Sequence, residues 1–204
     1  PFSLSRRFMP LDSWTKQGRL VLVFDNFIAD SGTLKGITNS PFWERKCFYW
    51  NDALFGGSER TNGIGEYLVE LMMKHPAIRK EYPFERAAGF EYWPTVTTQH
   101  SVSEDPEYAL DIHSDFDILR YETTDEVRHP LFGAVIYFGN EDVTGGDLRV
   151  WEDDEETCKT VEPKGNRIVV FQSDKPHGIT SVKSGTRKSI AINFWEEPVL
   201  LPEE

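Results

Sequence analysis

Apolar side chains follow a helical spacing in the first third of the chain and a strand-like spacing in the rest. The clearest helical pattern covers residues 62–75, where apolar positions recur every three or four residues, as on the buried face of an amphipathic helix. Thr61 or Asn62 can cap its start, and Pro76 ends it. The apolar positions of this predicted helix are Ile64, Tyr67, Leu68, Leu71 and Met72.

Short runs rich in β-branched and aromatic residues dominate from Phe90 onward, and Gly, Pro, Asn and Asp separate them. Many short strands with turn signals between them favour an all-β sandwich or barrel over a fold of alternating strands and helices. A double-sheet jelly roll protects its edges well at this strand count. We therefore predict a mainly β jelly roll with N-terminal helices packed against one sheet. The predicted strands are 90–96, 108–113, 131–138, 147–152, 159–162, 167–172, 177–182 and 187–195.

The whole chain of 204 residues is predicted to form one domain, since no linker or internal repeat divides it. Its helical and aromatic support covers about 1–89, with a first strand over 20–24 and a shorter helix over 31–38. The jelly-roll core covers about 90–196. At this length the chain can bury a sizeable core.

Composition excludes several classes of protein. The net charge of −12 argues against nucleic-acid binding, which needs clustered Lys and Arg to neutralise phosphates. No apolar run is long enough for a transmembrane helix, so no membrane association is expected. Cys47 and Cys158 share no zinc-like spacing and are expected to be free thiols in a reducing compartment. A cytoplasmic location is therefore favoured, and a removed leader ahead of Pro1 is compatible with the sequence.

His113 and Asp115 stand at the end of a predicted strand, and His177 opens another. Residues two apart in a strand point to the same face, so both side chains of the first pair can reach one ion. Two imidazoles and one carboxylate on one side of a site, with the other side open, suit non-haem Fe(II). Because His-x-Asp is a common pattern, a surface turn and an unrelated loop histidine form the alternative for these residues taken alone.

Arg187 follows His177 in the sequence, with Gly185 marking a turn between them. We predict a hairpin in which Arg187 lies roughly opposite Ser181, about 13 Å along the strand from His177. That distance suits an imidazole, an iron ion, an extended five-carbon dicarboxylate and a guanidinium in line. The planar fork of a guanidinium meets a carboxylate with two hydrogen bonds. The alternative for Arg187 alone is a surface cation paired with a glutamate.

From about Val21 to Trp195 the chain resembles the prolyl 4-hydroxylase-like Fe(II)/2-oxoglutarate-dependent dioxygenases. The ligand order, a glycine pair, the spacing to the basic residue and a closing tryptophan agree together. The matching segments are 113–115, 133–138, 145–148, 163–171, 177–182, 185–187 and 192–195. The family fold is the double-stranded β-helix, a jelly roll with helices on one side, which is the architecture that the strand pattern predicts independently.

The resemblance implies a site as well as a fold. His113, Asp115 and His177 would ligate Fe(II), and Arg187 would bind the distal carboxylate of the cosubstrate 2-oxoglutarate. With O2 as the second cosubstrate, the reaction would hydroxylate a peptidyl residue or a free amino acid and release succinate and CO2. The carboxylate of Asp115 favours hydroxylation, because related halogenases leave that ligand position empty for halide.

Two tyrosines are further candidates for the cosubstrate site. Tyr92 and Tyr137 could each donate a hydroxyl to 2-oxoglutarate, and each could instead be a core tyrosine. The polar stretches 97–107 and 116–129 are predicted to be loops that cover the site or grip the substrate. His129 is expected to be a loop residue rather than a further ligand.

The substrate is the least determined part of the prediction. The stretch 116–129 matches no known substrate loop of the family, which leaves open the same chemistry on a small metabolite other than an amino acid. A jelly-roll module that binds without turnover is a third possibility, and the complete set of predicted ligands argues against it. We expect a peptide, a protein or an amino acid as the partner.

Overall fold

Two antiparallel sheets packed face to face form the body of the protein in the computed structural model, which describes residues 21–44, 49–56, 63–101, 103–152 and 156–200. The larger sheet has the strand order β1-β9-β5-β12-β3-β2, the smaller has the order β4-β10-β7-β8, and β11 pairs with β6. The strands are β1 (Val21–Asp25), β2 (Tyr49–Asn51), β3 (Gly89–Thr98), β4 (Tyr108–His113), β5 (Phe132–Tyr137), β6 (Thr144–Gly145), β7 (Leu148–Trp151), β8 (Cys158–Val161), β9 (Arg167–Phe171), β10 (His177–Thr180), β11 (Val182–Ser184) and β12 (Thr186–Trp195). The predicted mainly β jelly roll is confirmed.

Two apolar clusters hold the layers together. One lies between the helices and the outer face of the larger sheet, and it includes Phe90, Phe132 and Phe194. The other lies between the two sheets and includes Val135, Tyr137 and Leu148. Since both faces of the larger sheet are covered, its central strand β5 is buried along its whole length and reads in the sequence as a continuous apolar run.

All of the α-helices but one lie in the N-terminal support. They are α1 (Ser31–Thr38), α2 (Ile64–Lys74), α3 (Pro76–Glu81) and α4 (Ile118–Thr124), with short 3₁₀ turns at Pro41–Glu44, Ala53–Phe55 and Phe84–Arg86. Both predicted helices are present. Asp30 caps α1 by accepting a hydrogen bond from the backbone N–H of Thr33 at 2.7 Å.

The ends of α2 differ from the prediction. The described N-cap is Gly63, and the predicted caps Thr61 and Asn62 lie outside the described residues. Pro76 does follow the end of α2, but it also begins α3 as its first residue, a position where its missing N–H costs nothing. His75 separates the two helices with an extended backbone.

Two predictions about the segments beside the site are wrong. The stretch 116–129 is not a loop throughout, because it contains α4, whose start is capped by the side chain of Asp117. The predicted hairpin between β10 and β12 does not form, because β10 pairs with β4 and β7 in the smaller sheet whereas β12 pairs with β3 and β5 in the larger. The short strand β11 carries the chain from one sheet to the other.

Within the described ranges, no helix has the length and apolar character needed to cross a membrane. Cys158 is a free, half-buried thiol, and Cys47 lies outside the described residues.

Candidate metal centre

The side chains of His113, Asp115 and His177 converge between β4 and β10. His113 is the last residue of β4 and lies directly across from His177, the first residue of β10. Nε2 of His113 is 3.5 Å from Oδ1 of Asp115, and Nε2 of His177 is 3.6 Å from its Oδ2. One nitrogen or oxygen from each of the three residues lies within 4.8 Å of the others. The predicted pair two residues apart and the distant histidine are therefore brought together.

Backbone carbonyls orient both imidazoles. Nδ1 of His113 lies 2.8 Å from the carbonyl oxygen of Asp111, and Nδ1 of His177 lies 2.8 Å from that of Lys175. A carbonyl only accepts, so each Nδ1 carries the proton and donates it. Each Nε2 then keeps its lone pair and faces Asp115, the arrangement that a metal-ligating histidine requires.

Asp115 is fixed from three sides. Its backbone N–H donates to the carbonyl of Ser173 at 2.9 Å, and its own carbonyl lies 2.7 Å from Nδ1 of His129. The side-chain amide of Asn193 donates to Oδ2 of Asp115 at 3.0 Å. His129 is therefore not a further ligand, but it holds the backbone of one.

The electrostatics of the cluster favour ligand-competent protonation states at His177 and Asp115. At His113, burial acts to lower the pKa of the imidazole, and the hydrogen bond and charge of Asp115 with the Asp111 carbonyl outweigh it, so the net direction is upward. Burial lowers the pKa of the His177 imidazole, although the charge of Asp115 opposes this. Burial acts to raise the pKa of the Asp115 carboxyl, and the hydrogen bond and charge of His113 together with the charge of His177 outweigh it, so the net direction is downward. At neutral pH the cluster thus offers a neutral imidazole at His177 and an ionised carboxylate.

Arg187 is a buried cation without an acidic partner in the described part of the chain. The residue is 2% exposed. Its Nε donates to the carbonyl of Gly146 at 3.0 Å, Nη1 donates to Oγ of Ser189 at 2.8 Å, and Nη2 lies 3.4 Å from the hydroxyl of Tyr137. These contacts use three of the five N–H groups of a guanidinium and leave one on each terminal nitrogen. A buried charge without a partner destabilises the folded protein. The Arg187 guanidinium is therefore suited to bind an anionic ligand.

Gly146 permits this packing. A Cβ at that position would lie 2.9 Å from Cδ of Arg187, and the backbone has φ +73°, which L side chains rarely adopt. The second glycine of the pair noted in the sequence thus gives the arginine both space and a carbonyl acceptor.

The interior between the sheets joins Arg187 to the histidine cluster. The ring of His177 lies 5.0 Å from that of Phe171, which belongs to the same inter-sheet cluster as Tyr137. The guanidinium of Arg187 lies over the ring of Tyr137 at 5.0 Å. Arg187 on the larger sheet and His177 on the smaller sheet therefore contact the same inter-sheet cluster, and they do not lie along one hairpin as predicted.

The two tyrosine candidates lie on opposite faces of the larger sheet. Tyr137 faces the interior beside Arg187 and is fully buried. The prediction that Tyr92 contacts 2-oxoglutarate is corrected, because the ring of Tyr92 stacks on Phe42 and Tyr49 in the cluster that faces the helices. A Cβ on Gly65 of α2 would lie 2.5 Å from that ring, so Tyr92 packs against the helix and points away from the cosubstrate site.

Ser189 and Glu91 are polar residues of this interior that the sequence reasoning missed. Ser189 follows Arg187 by two positions on β12, and Glu91 pairs with Asn193 across β3 and β12. Strand alternation was the available signal, since every second residue of a strand that carries a site residue faces the same side.

The sequence of residues 94–195, half of the chain, matches the family model of the 2OG-Fe(II) oxygenase superfamily. The chain belongs to this superfamily. The predicted family is thereby confirmed, and enzymes of this superfamily use the predicted cofactor Fe(II) and the predicted cosubstrates 2-oxoglutarate and O2.

Relatives with known structures or names include several prolyl hydroxylases. The chain is 30% identical over 97 residues to human prolyl 3-hydroxylase 2, an alignment that spans 43% of this chain and only 14% of that protein. A prolyl-4-hydroxylase from Pseudomonas putida aligns with a TM-score of 0.50 at 17% identity, covering 88% of this chain and 94% of its own. A truncated viral collagen prolyl hydroxylase from Paramecium Bursaria Chlorella virus-1 aligns with a TM-score of 0.53 at 13% identity, covering 92% and 96%. At these identities the two structures show a shared fold.

The residues present suit the superfamily's metal. Two imidazole nitrogens with free lone pairs and one carboxylate converge from a single side, which matches the donor set of a non-haem Fe(II) site.

Proposed function

We propose that this protein is an Fe(II)- and 2-oxoglutarate-dependent dioxygenase that hydroxylates a peptidyl residue or a free amino acid and releases succinate and CO2. The observation that carries the proposal is Arg187, a buried guanidinium of which two N–H groups contact no described residue and which lies in the same inter-sheet interior as the His113, Asp115 and His177 cluster. A metal site alone is common to many activities, whereas a metal site with a buried carboxylate anchor suits a dicarboxylate cosubstrate.

Each residue has a distinct role in the proposed site. His113, Asp115 and His177 hold the iron, which when bound supplies the oxidative chemistry that no protein side chain can. Arg187 binds the distal carboxylate of 2-oxoglutarate with its two remaining N–H groups, and Ser189 holds the guanidinium plane in place. Tyr137 lies close enough to Arg187 for its hydroxyl to reach the same carboxylate.

Asn193 and the histidine carbonyl contacts keep the ligands in one geometry. The Asn193 amide donates a hydrogen bond to Oδ2 of Asp115. Oδ1 receives no bond from this amide and is therefore the oxygen that we assign to the metal. Partners of this kind raise metal affinity by fixing ligand orientation before the metal arrives.

The test is succinate formation by the iron-loaded protein with 2-oxoglutarate under air. We expect 2-oxoglutarate to be consumed and succinate to appear in equal amounts. The Asp115→Ala variant should lose both, and Glu85→Ala, which removes an exposed acid outside the triad, should keep both. Iron loading without succinate from any peptide or amino acid tried would contradict the proposal.

A further inference from the structure

Several tryptophans surround one carboxylate on the inner face of the larger sheet. Trp50 pairs with Glu91 across β2 and β3, and paired residues of antiparallel strands share a face. Their chain neighbours Tyr49 and Tyr92 pack into the cluster that faces the helices. Side chains alternate along a strand, so Trp50, Glu91 and Trp93 all face the interior.

Opposite Gly89, a further indole, that of Trp195, lies next to this carboxylate. A Cβ on Gly89 would lie 2.4 Å from the ring of Trp50, which means that this ring extends across the glycine. The strand partner of Gly89 is Trp195, which is 4% exposed. Its indole N–H is buried and makes no hydrogen bond of good geometry to a described residue, although it lies near enough to Glu91 to lower the pKa of that carboxyl.

Glu91 has no basic partner among the described residues. Its hydrogen-bond contact is the Asn193 amide, at 3.4 Å. Burial raises the pKa of the Glu91 carboxyl to about 7, with Asn193 opposing and the negative charges of Asp115 and Asp117 adding to the rise. The carboxylate is therefore half-buried beside other acids and aromatic side chains, and no cation of the described residues stabilises it.

Glu91 lies close to the metal ligand Asp115 and far from Arg187. One nitrogen, Nδ2 of Asn193, donates to both Glu91 and Asp115. Arg187 lies six residues before Asn193 on the same face of β12, roughly 20 Å away along the strand. The Glu91 carboxylate thus lies beside Asp115 at the Asn193 end of the site, far along β12 from the arginine proposed to anchor 2-oxoglutarate.

We propose that Glu91, beside the indole of Trp50, binds a cationic nitrogen of the substrate, and that the substrate residue is therefore a lysine, an arginine or a similar amine. A carboxylate gives such a nitrogen a charge-assisted hydrogen bond, and the face of an indole such as Trp50 attracts it through the ring quadrupole. The inference rests on the proposed function, because it assigns the substrate side of the same site. It narrows the substrate to residues unlike the proline of the named relatives.

The test is binding of matched peptides, Gly-Gly-X-Gly-Gly with X as lysine, arginine, norleucine or proline, followed by quenching of intrinsic tryptophan fluorescence. The protein is loaded anaerobically with Fe(II) and 2-oxoglutarate at pH 8, where Glu91 is ionised. We expect the lysine or arginine peptide to bind at least about tenfold more tightly than the norleucine peptide, the value of one charge-assisted hydrogen bond. Glu91→Gln should remove this preference, and Glu85→Gln, the same charge change at an exposed position, should leave it unchanged.

Equal binding of the norleucine or proline peptide, or a preference that survives Glu91→Gln, overturns the cation assignment. Succinate formation is followed in parallel with the same peptides. A fluorescence preference for the basic peptides that depends on Glu91, without succinate, leaves the binding inference standing and contradicts the proposed dioxygenase activity instead. Peptide binding therefore tests the cation site, and succinate formation tests the dioxygenase activity.

Discussion

Asn193 is the residue whose side chain connects most of the candidate site. Its amide nitrogen lies 3.0 Å from Oδ2 of Asp115 and 3.4 Å from Oε1 of Glu91. Without it, the Asp115 carboxylate can rotate, and its Oδ2 loses a buried hydrogen-bond donor. We predict that Asn193→Ala weakens Fe(II) affinity by about 10-fold to 100-fold, the usual cost of losing such a partner.

Metal competition with a chromophoric chelator measures that affinity, and the unfolding midpoint of the same variant checks that the fold is intact. An Asn193→Ala protein that is folded and binds Fe(II) as tightly as the wild type would show that Asp115 needs no support from this amide.

Gly133 offers a second route to the same carboxylate. A Cβ there would lie 2.7 Å from Oδ1 of Asn193 and 2.8 Å from Cβ of Ser173, and both neighbours contact Asp115. We predict that Gly133→Ala displaces Asn193 and lowers Fe(II) affinity in the chelator assay. Gly36→Ala is the matched control, because apart from its chain neighbours and the backbone of its own helix no described atom lies within 4 Å of its Cβ position. Equal losses in both variants would point to a general effect on folding.

The two tyrosines give a residue-scale test of the corrected assignment. The hydroxyl of Tyr137 faces Arg187, whereas the Tyr92 ring lies among helix-facing aromatics. Removing a neutral hydrogen bond costs about 0.5–1.5 kcal/mol, so Tyr137→Phe should weaken 2-oxoglutarate binding severalfold. Tyr92→Phe should leave it unchanged, as isothermal titration under anaerobic conditions can show. A larger effect at Tyr92 than at Tyr137 would reverse the assignment of the two faces.

At the scale of elements, an ion-pair cluster joins β1 to β9 at the edge of the larger sheet. Asp25 accepts hydrogen bonds from Arg167 at 2.7 Å and from Lys164 at 2.7 Å, and these partners hold the pKa of its carboxyl well below the ordinary range. A depressed pKa in the folded state stabilises the protein above the unfolded-state pKa, and this stabilisation is lost as the pH falls towards the folded-state value.

We predict that Asp25→Asn lowers the free energy of unfolding by no more than about 1 kcal/mol at pH 7, because the pair is exposed to solvent. The difference between the variant and the wild type should shrink as the pH falls below about 4. Urea unfolding at several pH values measures it. A difference that grows in acid would contradict the assigned sign.

Elements with a clear periodicity were predictable from the sequence, and their partners in space were not. The alternation and apolar runs locate the main strands of the sandwich, and the helical spacing locates α2. The segment Ile118–Thr124 was missed, because four of its seven residues are charged or threonine and none is buried, so it carries no apolar stripe. The hairpin error has a related cause. Val182–Ser184 reads as a continuation of the strand that starts at His177, although it pairs with Thr144–Gly145 instead.

On the scale of the whole molecule, the candidate site depends on two sheets that approach each other. The smaller sheet contributes His113 and His177, and the larger contributes Arg187, Asn193 and Tyr137. The His-x-Asp motif and the position of Arg187 ten residues after His177 could be predicted, because they are local sequence patterns that the family shares. Ser189, Glu91 and the orientation of Tyr92 depend on which face of the larger sheet turns inward, and only the assembled sandwich determines that.

The central claim is that the interior between these sheets holds Fe(II) and 2-oxoglutarate together, with Arg187 as the anchor. Anaerobic titration of the Fe(II)-loaded protein with 2-oxoglutarate tests it most directly, through the visible charge-transfer absorption that a keto acid gives when it chelates Fe(II). We predict a saturable band that is absent in His177→Ala. In Arg187→Ala, half-saturation should need far more 2-oxoglutarate, because losing one partner of a buried charge pair costs about 2–5 kcal/mol. A protein that binds Fe(II) tightly but gives no band, or an Arg187→Ala variant that saturates at the wild-type concentration, would contradict the claim.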